Sequence, residues 1–318
     1  MIVKNICRWL GILIMFQAVV LEPVFLNAQD EVNPNDIAQT IEKMKGAKSW
    51  PEMAALITTL CKFGQPASSY ILKEFQDKNN DKWLRKVLAE ILAGLKDKET
   101  IPGIVKVLQD EKETPFIRSN AAQCLGMMGL PEASEPLIRE LKNNNAKIRS
   151  MAVFSLGLLK DQDAISEIGE ATKDKDELVR NRAARALGKL ENPVGIDYLI
   201  PLLNDNVFHV RLAAIQSLGI IGTEKVVNPL VERMSVADEE TEKATIIQAL
   251  GKTKNQKAAD PLIKVLQNES SFLAMNAAEA LASIGDKRAI PLIENRMKTE
   301  KDSFAREKFD KAYKKLTQ

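Results

Sequence analysis

The chain of 318 residues holds a single histidine, His209. No site built on two imidazoles can form, which removes most catalytic zinc and di-iron centres. Aromatic residues make up 5%, and glycine and proline together number 28. That is sparse for a sandwich or barrel with many tight turns, and it points to helices. The formal net charge is +2, without the basic excess of a dedicated nucleic-acid binder. Three cysteines are too few for a small secreted domain stapled by disulfides.

The N-terminus reads as an export signal. Lys4 and Arg8 precede an apolar run from Trp9 to Leu21, which is shorter than the ~20 residues of a spanning helix. Glu22 and Pro23 break the run, and a polar stretch follows Ala28. Residues 1–28 are therefore expected to be a cleaved signal peptide and 29–35 a polar linker, although Leu26 is large for a cleavage site. An uncleaved anchor is the alternative. Cleavage would remove Lys4, Arg8 and Glu22 and leave a net charge of +1. The expected location is the periplasm or the extracellular space, with no integral membrane segment in the mature chain.

What the sequence does contain is a repeat. The run from Val179 to Gly188 reads V-R-x-x-A-A-x-A-L-G, and close copies begin at Ile117, Ile148 and Val210. Weaker copies begin at Leu84, Glu242 and Leu273. The leucine near each copy's end falls at 92, 125, 156, 187, 218, 250 and 281, at intervals of 31–33 residues, and Leu60 marks a degenerate first copy. Apolar residues at offsets 0, 4, 5, 7, 8 and 11 define a helix with one buried stripe. A second pattern follows each copy, as in Asp286-Lys287-Arg288-Ala289-Ile290-Pro291-Leu292-Ile293. Asp97, Asp161, Asn192, Asn255 and Asp286 share one position, where a short acceptor side chain can cap the next helix. Each unit is expected to be a helical hairpin without strands.

These motifs resemble the HEAT repeat family, in the short subclass named for phycobilisome lyases, over about residues 50–297. The resemblance implies an all-α fold, an α-solenoid wound as a right-handed superhelix. Residues 36–318 are then expected to form one solenoid of about nine hairpins with terminal caps, opening with a helix over 36–46 and closing with one over 302–316. Neighbouring units lie ~8–10 Å apart. Cys61 and Cys124, two units apart, are thus too distant for a bond that needs Cα atoms within ~7 Å.

The chemical motifs are weak. Gly251-Lys252-Thr253 ends like a phosphate-binding loop but lacks the earlier glycine, since Ile246 stands in its place. The arginine row Arg85, Arg118, Arg149, Arg180 and Arg211 recurs at one repeat position. It is expected to join neighbouring units, with the Asp/Asn row as candidate partner. The family includes bilin lyases, iron hydroxylases with His-Glu motifs and DNA glycosylases with basic clefts. The repeat signature carries no catalytic residue of its own, one histidine cannot supply the His-Glu set, and the net charge does not favour a basic cleft. The expectation is a chain that is not an enzyme and takes no cofactor, metal or nucleic acid.

An exported non-catalytic scaffold binding a protein or peptide partner is therefore expected. The alternatives are a structural or self-assembling envelope spacer and, less favoured, a bilin-lyase-like protein. The resemblance places offsets 2, 3, 6 and 10 of each motif helix on the concave groove, bordered by offset −1. Those positions hold Trp83, Phe116, Met127, Met151, Phe154 and Leu158, then Arg182, Arg185, Lys189 and His209, then Leu212, Phe272 and Met275. Aromatic, Met and Arg enrichment of this kind marks interface cores. The competing expectation is that Trp83, Phe116 and Phe272 fold into the core between units.

Overall fold

The computed structural model describes residues 32–318. The expected signal peptide lies outside the described residues. Those described form eighteen α-helices joined by short 3-10 turns, with no strand among them. They fall into two compact units, one ending at Leu159 and one beginning at Lys160.

The first unit contains α1 (Pro34–Gly46), α2 (Trp50–Phe63), α3 (Ser68–Gln76), α4 (Lys82–Leu95), α5 (Ile101–Gln109), α6 (Pro115–Met128), α7 (Ser134–Glu140) and α8 (Ala146–Leu159). The opening helix starts two residues before the sequence pattern placed it, inside the expected linker. Asn33 Oδ1 accepts the Asn35 N–H at 2.9 Å, and Pro34 supplies a fixed φ at the first position.

The second unit contains α9 (Ile165–Glu170), α10 (Glu177–Leu190), α11 (Ile196–Leu199), α12 (Phe208–Ile221), α13 (Val227–Val236), α14 (Glu240–Thr253), α15 (Ala259–Asn268), α16 (Ser271–Ile284), α17 (Ile290–Thr299) and α18 (Ser303–Thr317). The closing helix agrees with the pattern to within a residue.

The motif helices α4, α6, α8, α10, α12, α14 and α16 each run fourteen residues. The repeated leucines 92, 125, 156, 187, 218, 250 and 281 are all fully or almost fully buried, each contributing about 2 kcal/mol through burial. Every motif helix stops four residues after its leucine, on a left-handed residue: Lys96, Gly129, Lys160, Glu191, Gly222, Lys254 or Gly285. The acceptor row then acts as the pattern requires. Oδ1 of Asp97, Asp161, Asn192, Asn255 and Asp286 accepts the backbone N–H two residues on, at 2.9–3.1 Å. This shapes the 3-10 turn that leads into the next helix.

Candidate partner-binding groove

The arginine row sits at the N-terminal ends of the motif helices and makes two kinds of contact. Each guanidinium donates to carbonyls at the end of the helix before it: Arg85 to Phe75, Arg118 to Leu108, Arg149 to Asn143, Arg180 to Asp174 and Arg211 to Asp205, at 2.7–3.0 Å. Carboxylates further along the chain are reached as well, Glu113 by Arg85, Glu140 by Arg118, Asp205 by Arg180 and Glu242 by Arg211. For Arg85, Arg118, Arg180 and Arg211 these carboxylates lie outside the Asp/Asn row that the sequence offered as candidate partner. That row lies beyond the C-terminal end of a helix roughly 20 Å long, out of reach of an arginine at the other end.

The groove candidates of the first unit lie on α4, α6 and α8. Trp83 keeps 41% of its surface exposed, and Phe116 is half-buried. Their rings meet edge to face with centroids 5.2 Å apart, a favourable quadrupolar geometry. They remain at the surface, and so does Phe272, 43% exposed in the second unit. None of the three folds into the core. Lys82 Nζ lies 5.8 Å from the Trp83 ring and Lys147 Nζ 5.2 Å from the Phe116 ring. Lys86, Glu90, Asn120, Gln123 and Met127 line one shallow crevice. Offsets 2, 3, 6 and 10 thus share a face, with Lys86 and Glu90 paired along α4. Met151, Phe154 and Leu158 are half-buried along α8.

In the second unit Arg182, Arg185 and Lys189 follow one side of α10; Arg182 is half-buried, and the other two are exposed. Burial pushes the Arg182 guanidinium below its ordinary pKa. Arg185 Nε donates to Asn181 Oδ1 at 3.1 Å, and Asn181 Nδ2 donates to the His209 carbonyl at 2.8 Å. This joins α10 to the start of α12. His209 itself is exposed, with Nε2 3.8 Å from Glu177. Leu212 is half-buried on α12, while Phe272 and the half-buried Met275 stand on α16, two motif helices further on. The sequence reading passed over Leu178, which is 45% exposed. It occupies the same offset −1 position as Trp83 and Phe116, so the spacing alone could have found it. Trp50, Met44 and Met53 were also missed, because the degenerate first copy carries no motif to place them.

Among the described residues no group of three or more His, Cys, Asp or Glu side chains is placed to hold a metal ion. No helix among them is long and apolar enough to cross a membrane.

A stack of helical hairpins whose motif helices end on a left-handed residue, five of them stapled by an arginine, defines a class of α-solenoid repeat proteins. A family model for HEAT repeats matches residues 71–144, 134–207, 192–250 and 236–312. The chain belongs to the HEAT-repeat family. It is similar to the deoxyhypusine hydroxylase of Gallus gallus, with 32% identity over 97 residues, covering 30% of this chain and 32% of the hydroxylase. The chain therefore matches about a third of the length of that relative. Among solved structures it is similar to E. coli YibA, at 17% identity and a TM-score of 0.58, over 92% of this chain and 100% of that one. It is also similar to the CpcE–CpcF complex of phycocyanin lyase from Nostoc sp., at 20% identity and a TM-score of 0.45, over 78% of this chain and 94% of that one.

The likeness to a hydroxylase corrects the expectation that the chain is not an enzyme. The physical reason is that the repeat signature consists of packing residues. It is shared by catalytic and binding members of the family and carries no weight against catalysis.

Proposed function

We propose that the protein is an exported HEAT-repeat scaffold that holds a protein or peptide partner along the face of its motif helices. The partner segment is helical or extended, with apolar anchors and some acidic residues. The Trp83–Phe116 pair carries this reading, because two aromatic rings held edge to face at the surface expose apolar area that a solvated face would fill with charge. The basic side chains of Arg182, Arg185 and Lys189 supply the acidic preference in the second unit. The membership of the chain in a solenoid family supports it too, since stacked repeats offer extended binding surfaces.

The test is capture from an envelope extract, with the chain as bait and a Phe154→Ser/Leu158→Ser/Arg185→Glu variant beside it. The variant should lose the captured partner while its helical circular dichroism and melting curve stay largely intact. Unchanged capture would place binding on another face. Export is checked by N-terminal sequencing of exported protein: a start at Gln29 is expected, and a start at Met1 sinks it.

A second reading, a scaffold that also turns over a bound substrate, is favoured by the similarity to deoxyhypusine hydroxylase. A turnover that survives repurification in hydroxylase and transferase panels would establish it.

A further inference from the structure

Between the end of α1, the start of α2 and the beginning of α4 lies a cavity of about 520 Å3. Where a glycine follows the repeated leucine, at 126, 188, 219 and 251, it faces a serine or alanine and the motif helices approach closely. A Cβ added to Gly126 would stand 2.6 Å from the Ser155 Cα, and one added to Gly251 would stand 2.7 Å from the Ala280 Cβ. The corresponding register positions of α2 and α4 hold Cys61 and Ile91. Neither is a glycine, so that glycine contact is missing between α2 and α4, whose N-terminal parts line the cleft.

The volume falls within the range of ligand sites. The apolar wall consists of Met44, Trp50, Met53, Trp83, Leu84 and Val87. The polar lining groups are largely engaged already. Lys45 is paired with Glu42 at 2.7 Å and Glu74 at 2.9 Å, and Lys86 is paired with Glu90. Asp81 Oδ1 accepts the Trp83 N–H, and Ser49 Oγ accepts the Glu52 N–H. A guest therefore meets free apolar surface and needs no charge inside the cleft. The outside differs. Lys82 and Lys147 flank the Trp83–Phe116 pair, and neither has a carboxylate partner among the described residues.

We propose that this cleft is the anchor pocket of the binding face, and that it takes one or two bulky apolar side chains of a partner segment whose neighbouring residues are acidic. The inference rests on the proposed function and adds the place and chemistry of the strongest contact. Anchors seated in pockets dominate interface energetics. Two tryptophan walls give large contact area at small entropy cost, and two methionines adapt to the guest's shape. The free ammoniums of Lys82 and Lys147 complement carboxylates beside the anchor. Trp83 and Lys86 belong both to this cleft and to the row of groove positions, so the pocket continues into that face.

The experiment selects a display library of random 12-residue peptides against the full chain, then measures an enriched, labelled peptide by fluorescence anisotropy. Enriched sequences should combine bulky apolar residues with adjacent Asp or Glu. Their affinity should fall at least tenfold in Met53→Lys, which puts an ammonium into the cleft, and in Lys82→Glu/Lys147→Glu. Trp83→Ala, at an exposed position, should show the same loss and keeps the test readable if Met53→Lys misfolds. Peptides that ignore these changes but respond to Phe154→Ser/Leu158→Ser/Arg185→Glu would overturn the anchor pocket and leave the proposed function standing. Enrichment of basic or wholly polar peptides, or no enrichment, overturns it as well. So does a cleft that binds sodium dodecanoate and no peptide.

Discussion

Glu242 occupies, on α14, the position that valine or isoleucine fills in the copies beginning at 117, 148, 179 and 210, and it is fully buried. A lone carboxylate there would be costly. It survives because Arg211 donates to it at 2.9 Å and Arg233 at 2.7 Å. Burial alone would raise the Glu242 carboxyl, but hydrogen bonds from Arg233 and Arg211 outweigh it and hold the group below the usual range. Asp205 is likewise held down, Arg180 outweighing burial. Glu242→Ala would leave two arginines facing an empty site and should cost about 3 kcal/mol of unfolding free energy, read by urea denaturation. Removing Lys257, exposed and paired with Glu224, should leave the unfolding midpoint almost unchanged, because solvent screens such a pair. Because the folded carboxyls titrate below their unfolded values near 4, their stabilisation is complete above that pH and is lost as pH falls through the folded values. The melting temperature of the wild type should thus drop more steeply below pH ~4 than that of Glu242→Gln. Burial raises the Cys61 and Cys124 thiols, Cys124 far more, and both are free. Two thiols per chain should react in the denatured, unreduced protein after residues 1–28 are removed. In the native protein Cys124 should resist alkylation, and rapid labelling of it would contradict the packing.

At the scale of elements, two devices recur along the array, and their variations give opposite predictions. The left-handed residue that ends a motif helix is glycine at 129, 222 and 285, but Lys96, Lys160, Glu191 and Lys254 bear a side chain in that conformation. An L residue there is strained by ~1–2 kcal/mol. Glu191→Gly should therefore raise stability by up to about 1 kcal/mol, after the larger backbone entropy of glycine in the unfolded chain is deducted. The glycines inside the motif helices behave in the other sense. Gly188→Ala would set a Cβ 2.7 Å from the Ser217 Cβ and 3.0 Å from its backbone Cα. Overpacking of this kind should cost about 1–3 kcal/mol. Gly94 in α4 has nothing within 4 Å of where a Cβ would stand, so Gly94→Ala should stabilise by about 0.5–1 kcal/mol. Parallel thermal melts of Gly188→Ala and Gly94→Ala decide this, and shifts of the same sign would refute the close-approach account.

For the molecule as a whole, a repeat array distributes stability over neighbouring interfaces rather than one central core. Loss of the Glu242 cluster should accordingly raise amide exchange in α12 and α14 well before it reaches α1 to α5, a pattern readable by hydrogen-exchange mass spectrometry. The 31-residue period, the closing helix, the acceptor caps and the family were all legible in the sequence, because each depends on residues a few positions apart or on a period that repeats. Helical spacing also put Lys86 and Glu90 of α4 with Asn120, Gln123 and Met127 of α6, and they line one crevice of the first unit. Which carboxylates the arginines use was not legible: Arg85 meets Glu113 across 28 residues and Arg211 meets Glu242 across 31, and helix length excludes the nearer-looking candidates. The cleft beside Trp50 was hidden too. It lies beside a copy without the motif, and a void between helices leaves no periodic trace. The sequence by itself determined the hairpin, its caps and its buried stripe, because those are local. Only the tertiary structure decided which charges pair and where apolar surface stays open, because both depend on how close helices from different repeats can come.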